Sequence, residues 1–266
     1  MRNRIQSSAL PALVCLILSL LMLLRVGAAP AMAKGGAESI AISPDGTRLY
    51  VARTAIRSYS SDSAVSVVDT SPLRLAATLQ PMGLHGSASP WANTLFSTMA
   101  LSPDGSRLFV SRIGAVDLVN PADNQLSGTV KTGPMPLSMA VSPDGQRLYV
   151  AGPDAGLHVI DAATAAPLTT VALRHLIGRV VASPDGRRLY AMGPGGSGPS
   201  NSLVPASSLQ VLDAGTLQVV NQLAPGRTID GAALSPDGKR LYLTTRLASP
   251  KVWQSRLDVY DAATLQ

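Results

Sequence analysis

Short apolar segments separated by turn residues dominate the chain from residue 38 onward. Each unit has three apolar residues that end at a serine, then Pro-Asp-Gly, then a segment of the Arg-Leu-Tyr-Val type with period-two alternation. Such alternation indicates a β-strand, and Pro-Asp-Gly between two apolar segments predicts a tight turn with glycine at positive φ. The pattern therefore predicts a succession of short antiparallel strands.

The same ten-residue phrase occurs five times, at spacings of 59, 40, 41 and 52 residues. After the phrase come an apolar strand that ends near an aspartate (Val65–Asp69 in the first copy) and a fourth strand (Leu75–Leu79). Four short strands in about 40 residues are typical of a β-propeller blade. We predict an all-β propeller of four-stranded antiparallel blades, at about 38–80, 96–132, 137–174, 178–224 and 230–266.

The fifth repeat lacks its fourth strand. Thr216-Leu-Gln218 leads into such a strand in the fourth repeat, whereas the same tripeptide at Thr264-Leu-Gln266 is the last of the sequence. Two interpretations follow: a five-bladed ring with a three-stranded last blade, or a C-terminally truncated fragment of a longer protein, which the sequence favours. In both, we expect the exposed edge of blade five to self-associate.

The first 33 residues read as a signal peptide. Arg2 and Arg4 precede an apolar stretch from Leu10 to Leu24, and Ala31-Met32-Ala33 is a small-x-small cleavage pattern. The stretch is short for a membrane anchor, which is the alternative reading. Cleavage would lower the formal charge from +6 to +3 and remove the single cysteine. We therefore expect a periplasmic or secreted protein at residues 34–266, with no membrane contact after cleavage, no nucleic-acid partner and no thiol chemistry.

The repeats resemble the YVTN-type β-propeller repeat of periplasmic and cell-surface WD40-like propellers, which are related to the lactonase-like superfamily. The resemblance covers residues 38–266 and rests on the Ser-Pro-Asp-Gly-x-Arg-Leu-Tyr-Val-Ala phrase and on strands such as Val65-Ser-Val-Val-Asp69. It implies a propeller fold. The family includes lactonase-like enzymes, subunits of amine dehydrogenases and proteins of unknown role, so the resemblance implies no single function.

The charged residues that recur in every repeat are assigned to structure. Asp45, Arg48 and their counterparts lie three residues apart in each turn, and active sites are rarely present in every repeat. We expect His158 on a polar, exposed strand face. The sequence contains no nucleophile elbow, zinc-spaced histidine pair or phosphate-binding glycine loop. We predict no catalytic residue, no metal and no cofactor.

The connections between second and third strands, and between blades, open on one face of a propeller, and several are long here. We expect loops at Arg53–Asp62, Gly193–Asn201 and Arg246–Arg256. Arginine with aromatic residues is a common composition of binding surfaces. We predict a binding face for a protein or a small anionic ligand, formed by Arg57, Tyr59, His85, Trp91, Arg112, His175, Arg246 and Trp253.

Three alternatives to a binding protein stay open. A lactonase-like hydrolase would need His85, His175 or Asp230 to meet at the propeller axis. A propeller subunit of a periplasmic dehydrogenase would carry no cofactor itself and would accompany a smaller redox partner. A truncated chain would be an inactive fragment. The sequence leaves enzymatic activity undecided, with the balance against it.

Overall fold

The chain is all-β in the computed structural model, which describes residues 34–57, 60–79, 98–133, 135–153, 156–173, 177–193, 207–248 and 253–266. Within these residues it forms nineteen strands in five antiparallel sheets and no helix. The predicted signal peptide, residues 1–33, lies outside them.

Four sheets have four strands each, in chain order. Blade one contains β1 (Lys34–Ile42), β2 (Arg48–Arg57), β3 (Ser60–Thr70) and β4 (Leu73–Leu79). Blade two contains β5 (Met99–Leu101), β6 (Leu108–Arg112), β7 (Ala115–Asn120) and β8 (Gln125–Lys131). Blade three contains β9 (Ser138–Val141), β10 (Arg147–Ala151), β11 (Gly156–Asp161) and β12 (Pro167–Ala172). Blade four contains β13 (Arg179–Ala182), β14 (Arg188–Gly193), β15 (Ser208–Asp213) and β16 (Val219–Leu223).

Blade five has three strands, namely β17 (Thr228–Leu234), β18 (Arg240–Ala248) and β19 (Trp253–Asp261). The first strands of successive blades contact each other, β1 with β5, β5 with β9, β9 with β13 and β13 with β17, so they are the innermost strands. This arrangement is a five-bladed β-propeller. It confirms the predicted fold class and the three-stranded last blade.

The hydrophobic core lies between blades rather than within them. Each of four clusters combines residues from two neighbouring blades; Leu209 and Val211 of blade four, for example, pack with Leu241 and Leu243 of blade five. We call the face of a blade that meets the next blade in the chain its trailing face, and the opposite face its leading face. Because every central blade has neighbours on both sides, its strands are apolar on both faces.

The Pro-Asp-Gly turns have the predicted geometry. Their glycines have φ between 69° and 72°, a region that favours glycine. In the first turn, the hydroxyl of Ser43 donates to Oδ1 of Asp45 at 2.6 Å and accepts from the N–H of Arg48 at 2.9 Å. The serine and the aspartate therefore hold the turn together without help from a neighbouring blade.

Arginines at the start of the second strands connect one blade to the next. The Arg147 guanidinium donates to the carbonyl oxygen of Ala214 at 2.8 Å, and that of Arg188 donates to the carbonyl oxygen of Ala262 at 3.1 Å. Arg48 makes the same kind of bond, at 2.6 Å, to the carbonyl oxygen of Pro121. Each acceptor lies in the turn after the third strand of the next blade, so the bond closes the junction at that end.

Two predicted loops are largely strand. The segment Arg53–Asp62 continues β2 and β3, which stay paired as far as Arg57 and Ser60. In Arg246–Arg256, β18 and β19 stay paired as far as Ala248 and Trp253. The loop prediction was wrong there, because the paired backbones of two strands accommodate serine, threonine and arginine. Gly193 ends β14, and the rest of the predicted loop Gly193–Asn201 lies outside the described residues.

Candidate functional site

The propeller has two ends that differ in chemistry. We call the end with the connections between second and third strands the loop face, and the end with the Pro-Asp-Gly turns the turn face. Arg57 is the last residue of β2 and Trp253 the first of β19, both at the loop face. The side chains described at this face include Arg112 and Arg246. Tyr59, His85, Trp91 and His175 lie outside the described residues.

Arg112 forms an ion pair at the junction of blades one and two. Its Nε lies 3.0 Å from both carboxylate oxygens of Asp117, and Thr129 donates its hydroxyl proton to Oδ1 of Asp117 at 2.7 Å. Asp117 is only 2% exposed. Removing the partner of a buried charge is strongly destabilising, so Arg112 has a structural task here whether or not it also binds a ligand.

Asp117 belongs to a position that is polar in the third strand of every blade. The expectation that this position is exposed was wrong. Four of its five residues are buried, namely Ser66, Asp117, Gln210 and Asp258. The fifth, His158, is half-buried, and its Nδ1 lies 3.0 Å from the hydroxyl oxygen of Thr170. In a central blade, period-two alternation separates two covered faces rather than a core face from a solvent face.

Arginines and aspartates gather at the loop face of blade five. Arg246 on β18 lies 3.1 Å from Oδ1 of Asp230 on β17. Arg256 on β19 pairs with Asp258, and Thr245 donates to Oδ2 of Asp258 at 2.7 Å. Among these residues, only Arg246 was predicted for the binding face, and Asp230 was named only for the hydrolase alternative. We call the residues Arg227, Asp230, Arg246, Arg256 and Asp258 the blade-five charge cluster; it carries three positive and two negative charges.

The electrostatics around Asp258 favour its charged form. Burial raises the pKa of this carboxyl, but the Thr245 hydroxyl, Arg256 and the positive charge of Arg227 outweigh that effect, so the pKa lies below its ordinary value. Asp258 therefore stays ionised at neutral pH and holds Arg256 in place. Two features of the sequence could have predicted the blade-five charge cluster: the polar residue in the middle of each third strand, and the number of arginines near Asp258.

At the turn face, the repeated aspartates form hydrogen bonds within their own turns. Bonds from the Ser43 hydroxyl and from Thr47 lower the pKa of Asp45 to about 2, and bonds from Ser102 and Ser106 lower that of Asp104 to about 2. Shallow clefts of about 390 and 270 Å³ lie between the turns of blades two and three and of blades four and five. The aspartates that line the first cleft are Asp104, Asp144 and Asp161, and those that line the second are Asp185, Asp237 and Asp261.

Clusters of metal-binding side chains and long apolar helices are both absent from the part of the chain that the structure describes. That part contains no group of three or more histidine, cysteine, aspartate and glutamate side chains suited to a metal ion. It also contains no helix with the length and apolar character needed to cross a bilayer. His85 and His175, on which the hydrolase alternative depends, are not in that part.

Comparison with known proteins supports the fold. No family model and no curated protein matches the chain. A hydrazine synthase chain of Kuenenia stuttgartiensis is 20% identical, with a TM-score of 0.70 over 89% of this chain and 66% of that one. A functionally unknown protein of Desulfotomaculum acetoxidans is 18% identical, with a TM-score of 0.62 over 85% of this chain and 68% of that one. The chain thus spans about two thirds of each, and at these identities the similarity supports the propeller fold alone.

Proposed function

We propose that this protein is an exported propeller of the YVTN repeat type that binds a protein or a small anionic ligand at its loop face. The observation that carries the proposal is a pair of extended hairpins. The strands of β2–β3 have 10 and 11 residues and those of β18–β19 have nine each, whereas β10 and β11 have five and six. Extended hairpins on a rigid scaffold are common carriers of binding residues.

The charge of this region supports an anionic partner. The blade-five charge cluster has one more positive than negative charge, and the β2–β3 hairpin of blade one adds Arg53 and Arg57 against Asp62, again one net positive charge. Arginine recognises carboxylates and phosphates through its planar set of donors. Trp253 adds an aromatic residue at the start of β19.

Three anionic probes test the proposal: citrate, inorganic phosphate and a poly-glutamate peptide, each titrated into the purified protein by calorimetry. We expect at least one probe to bind, with an affinity at least about tenfold lower in the double variant Arg57→Ala/Trp253→Ala. Arg74→Ala is the matched control, because it removes the same charge from the exposed outer strand β4. Unchanged affinity in the double variant would exclude these hairpin residues as the site.

Binding of a protein partner is tested separately. If none of the three probes binds, the proposal of an anionic ligand is wrong and the proposal of a protein partner remains. Immobilised protein should then capture a partner from the periplasmic or culture fraction, and the double variant should lose that partner while Arg74→Ala retains it. Equal capture by all three proteins would mean that the loop face is not the binding surface.

Export is proposed from the N-terminal sequence. Positively charged Arg2 and Arg4, the apolar stretch Leu10–Leu24 and the Ala31-Met32-Ala33 pattern support it. Intact-mass measurement of the protein recovered from a bacterial periplasm or medium should give a chain that begins at Lys34. Retention of residues 1–33 on the recovered protein would contradict cleavage at this site.

A further inference from the structure

The trailing face of blade five matches faces that are buried in the other four blades. Leu257 is 60% exposed, whereas its counterparts in blades one to four are at most 2% exposed. Val259 is 52% exposed, and its counterparts are at most 3% exposed. The counterparts of Leu257 are Val65, Val116, Leu157 and Leu209; those of Val259 are Val67, Leu118, Val159 and Val211.

Polar side chains on the trailing face of blade five are also more exposed than their counterparts at the junctions between the other blades. Arg240, the counterpart of Arg147 and Arg188, is exposed. Tyr242 is half-buried, whereas its counterpart Tyr190 is 1% exposed and donates its hydroxyl proton to the carbonyl oxygen of Ala262 at 2.8 Å. The trailing face of blade five therefore has the residue types of a complete junction, without the burial that accompanies them elsewhere.

Blade one shows where the other half of such a junction would be. A Cβ atom at Gly105 would lie 2.9 Å from Cδ of Pro44, and one at Gly238 would lie 3.3 Å from Cδ of Pro184. A Cβ atom at Gly46, the first glycine of the series, would meet no heavy atom within 4 Å. Among the described residues, β17 and β1 also share no contact as extensive as those that join the other successive inner strands.

The turn after β19 has the geometry that precedes a fourth strand in the other blades. Leu265 has φ 61°, as does Leu217 in blade four. The N–H of Asp261 donates to the carbonyl oxygen of Gln266 at 2.9 Å, matching the 3.0 Å bond from Asp213 to Gln218. In blade four this bond begins the pairing of β15 with β16.

We propose that the trailing face of blade five is a docking surface for a further β-blade of this same repeat, reached through a fourth strand beside β19. The four internal junctions define an apolar leading face and a glycine opposite Pro236 as the partner chemistry. Three of them add a turn carbonyl that accepts from the arginine corresponding to Arg240. Edge strands with unpaired backbone groups take up further strands readily. The alternative occupant of this face is a second copy of the chain, which corresponds to the self-association expected from the sequence.

An extended chain tests the docking of a blade. Appending a second copy of residues 219–266 after Gln266 repeats the connection between blades four and five, because both follow Thr-Leu-Gln. Leu257→Cys in a Cys15→Ser background provides a single thiol whose maleimide labelling rate reports exposure of the face. We expect labelling to slow by about tenfold or more in the extended chain, since it would then require opening of the junction.

Two control thiols separate docking from general effects of the extension. Leu75→Cys, on the exposed outer strand of blade one, should label fast in both chains, and Leu209→Cys should label slowly in both. Equal labelling of Leu257→Cys in the two chains would overturn the proposal. Concentration-dependent protection of Leu257→Cys in the original chain would also overturn it, because a second copy would then cover the face.

A second variant keeps the test decisive if Leu257→Cys perturbs folding. Arg240→Ala should lower the melting temperature of the extended chain and leave that of the original chain unchanged, since only the extended chain offers Arg240 a turn carbonyl. An equal effect in both chains would contradict docking of a blade on this face.

Discussion

Leu209 in blade four and Leu257 in blade five occupy the same position of the repeat, yet the first is fully buried and the second is 60% exposed. The two blades share the order of their first three strands, their turns and most of their sequence pattern. They differ in the fourth strand, which only blade four has, and in whether a neighbour covers the trailing face. The comparison shows that a blade acquires its strands and turns from its own sequence, whereas its core forms only with the next blade.

The largest difference is expected from truncating these two leucines. Leu209→Ala removes a side chain packed between blades and should lower the free energy of unfolding by about 2–5 kcal/mol. Leu257→Ala removes an exposed side chain and should change it by less than about 0.5 kcal/mol. Urea unfolding of the two variants measures both values. Similar losses would mean that the trailing face of blade five is packed in solution.

A smaller difference is expected from the arginines that connect blades. Arg147→Ala removes a charge-assisted bond to the Ala214 carbonyl and should destabilise by about 1.5–3 kcal/mol. Arg240→Ala, at the same position of an uncovered face, should have almost no effect. Thermal unfolding of both variants makes the comparison. A large loss on Arg240→Ala would show that this side chain has a partner in the folded protein.

Glycines of two turns provide a matched pair with nearly equal backbone strain. Gly46 has φ 71° and Gly105 has φ 72°, so alanine at either position is strained by about 1 kcal/mol. Gly105→Ala also drives a methyl group against Pro44, whereas Gly46→Ala meets nothing. We expect Gly105→Ala to be the more destabilising by about 1 kcal/mol or more. Urea unfolding measures the free energy of unfolding of both variants. Equal decreases would mean that the turns of adjacent blades can move apart with little loss of stability.

Much of this architecture follows from sequence, because it is local. The serine, aspartate and glycine of each turn close hydrogen bonds within a few residues, so the repeat predicts strand order and turn type. The arginine of the same phrase was assigned to its own turn, but in blades one, three and four its guanidinium donates to a carbonyl oxygen of the next blade. The residue spacing within one repeat contains no information about that partner.

The candidate site was harder to predict, for two physical reasons. Period-two alternation usually separates core from solvent, so the polar third-strand position of Asp117 and Asp258 was read as exposed; in stacked blades it marks the leading face instead. The length of the β2–β3 and β18–β19 hairpins was also hidden, because a ladder can extend through polar residues when both strands continue. The first feature depends on packing against the neighbouring blade, and the second on backbone pairing within a hairpin.

The smallest effect is expected for the pH dependence of stability that comes from the Pro-Asp-Gly turns. Here blade five should behave like the blades whose trailing face is covered. The Ser102 hydroxyl and the Ser106 backbone N–H lower the pKa of Asp104 to about 2, and the Ser235 hydroxyl lowers that of Asp237. A carboxyl whose pKa is lower in the folded than in the unfolded protein stabilises the fold above about pH 4 and loses that contribution as pH falls toward 2. Because these bonds are made within one turn, Asp104→Asn and Asp237→Asn should reduce the fall in melting temperature between pH 5 and 2 by similar small amounts. Melting curves across that range decide the matter: a response confined to Asp104→Asn would mean that the turn, too, requires a neighbouring blade.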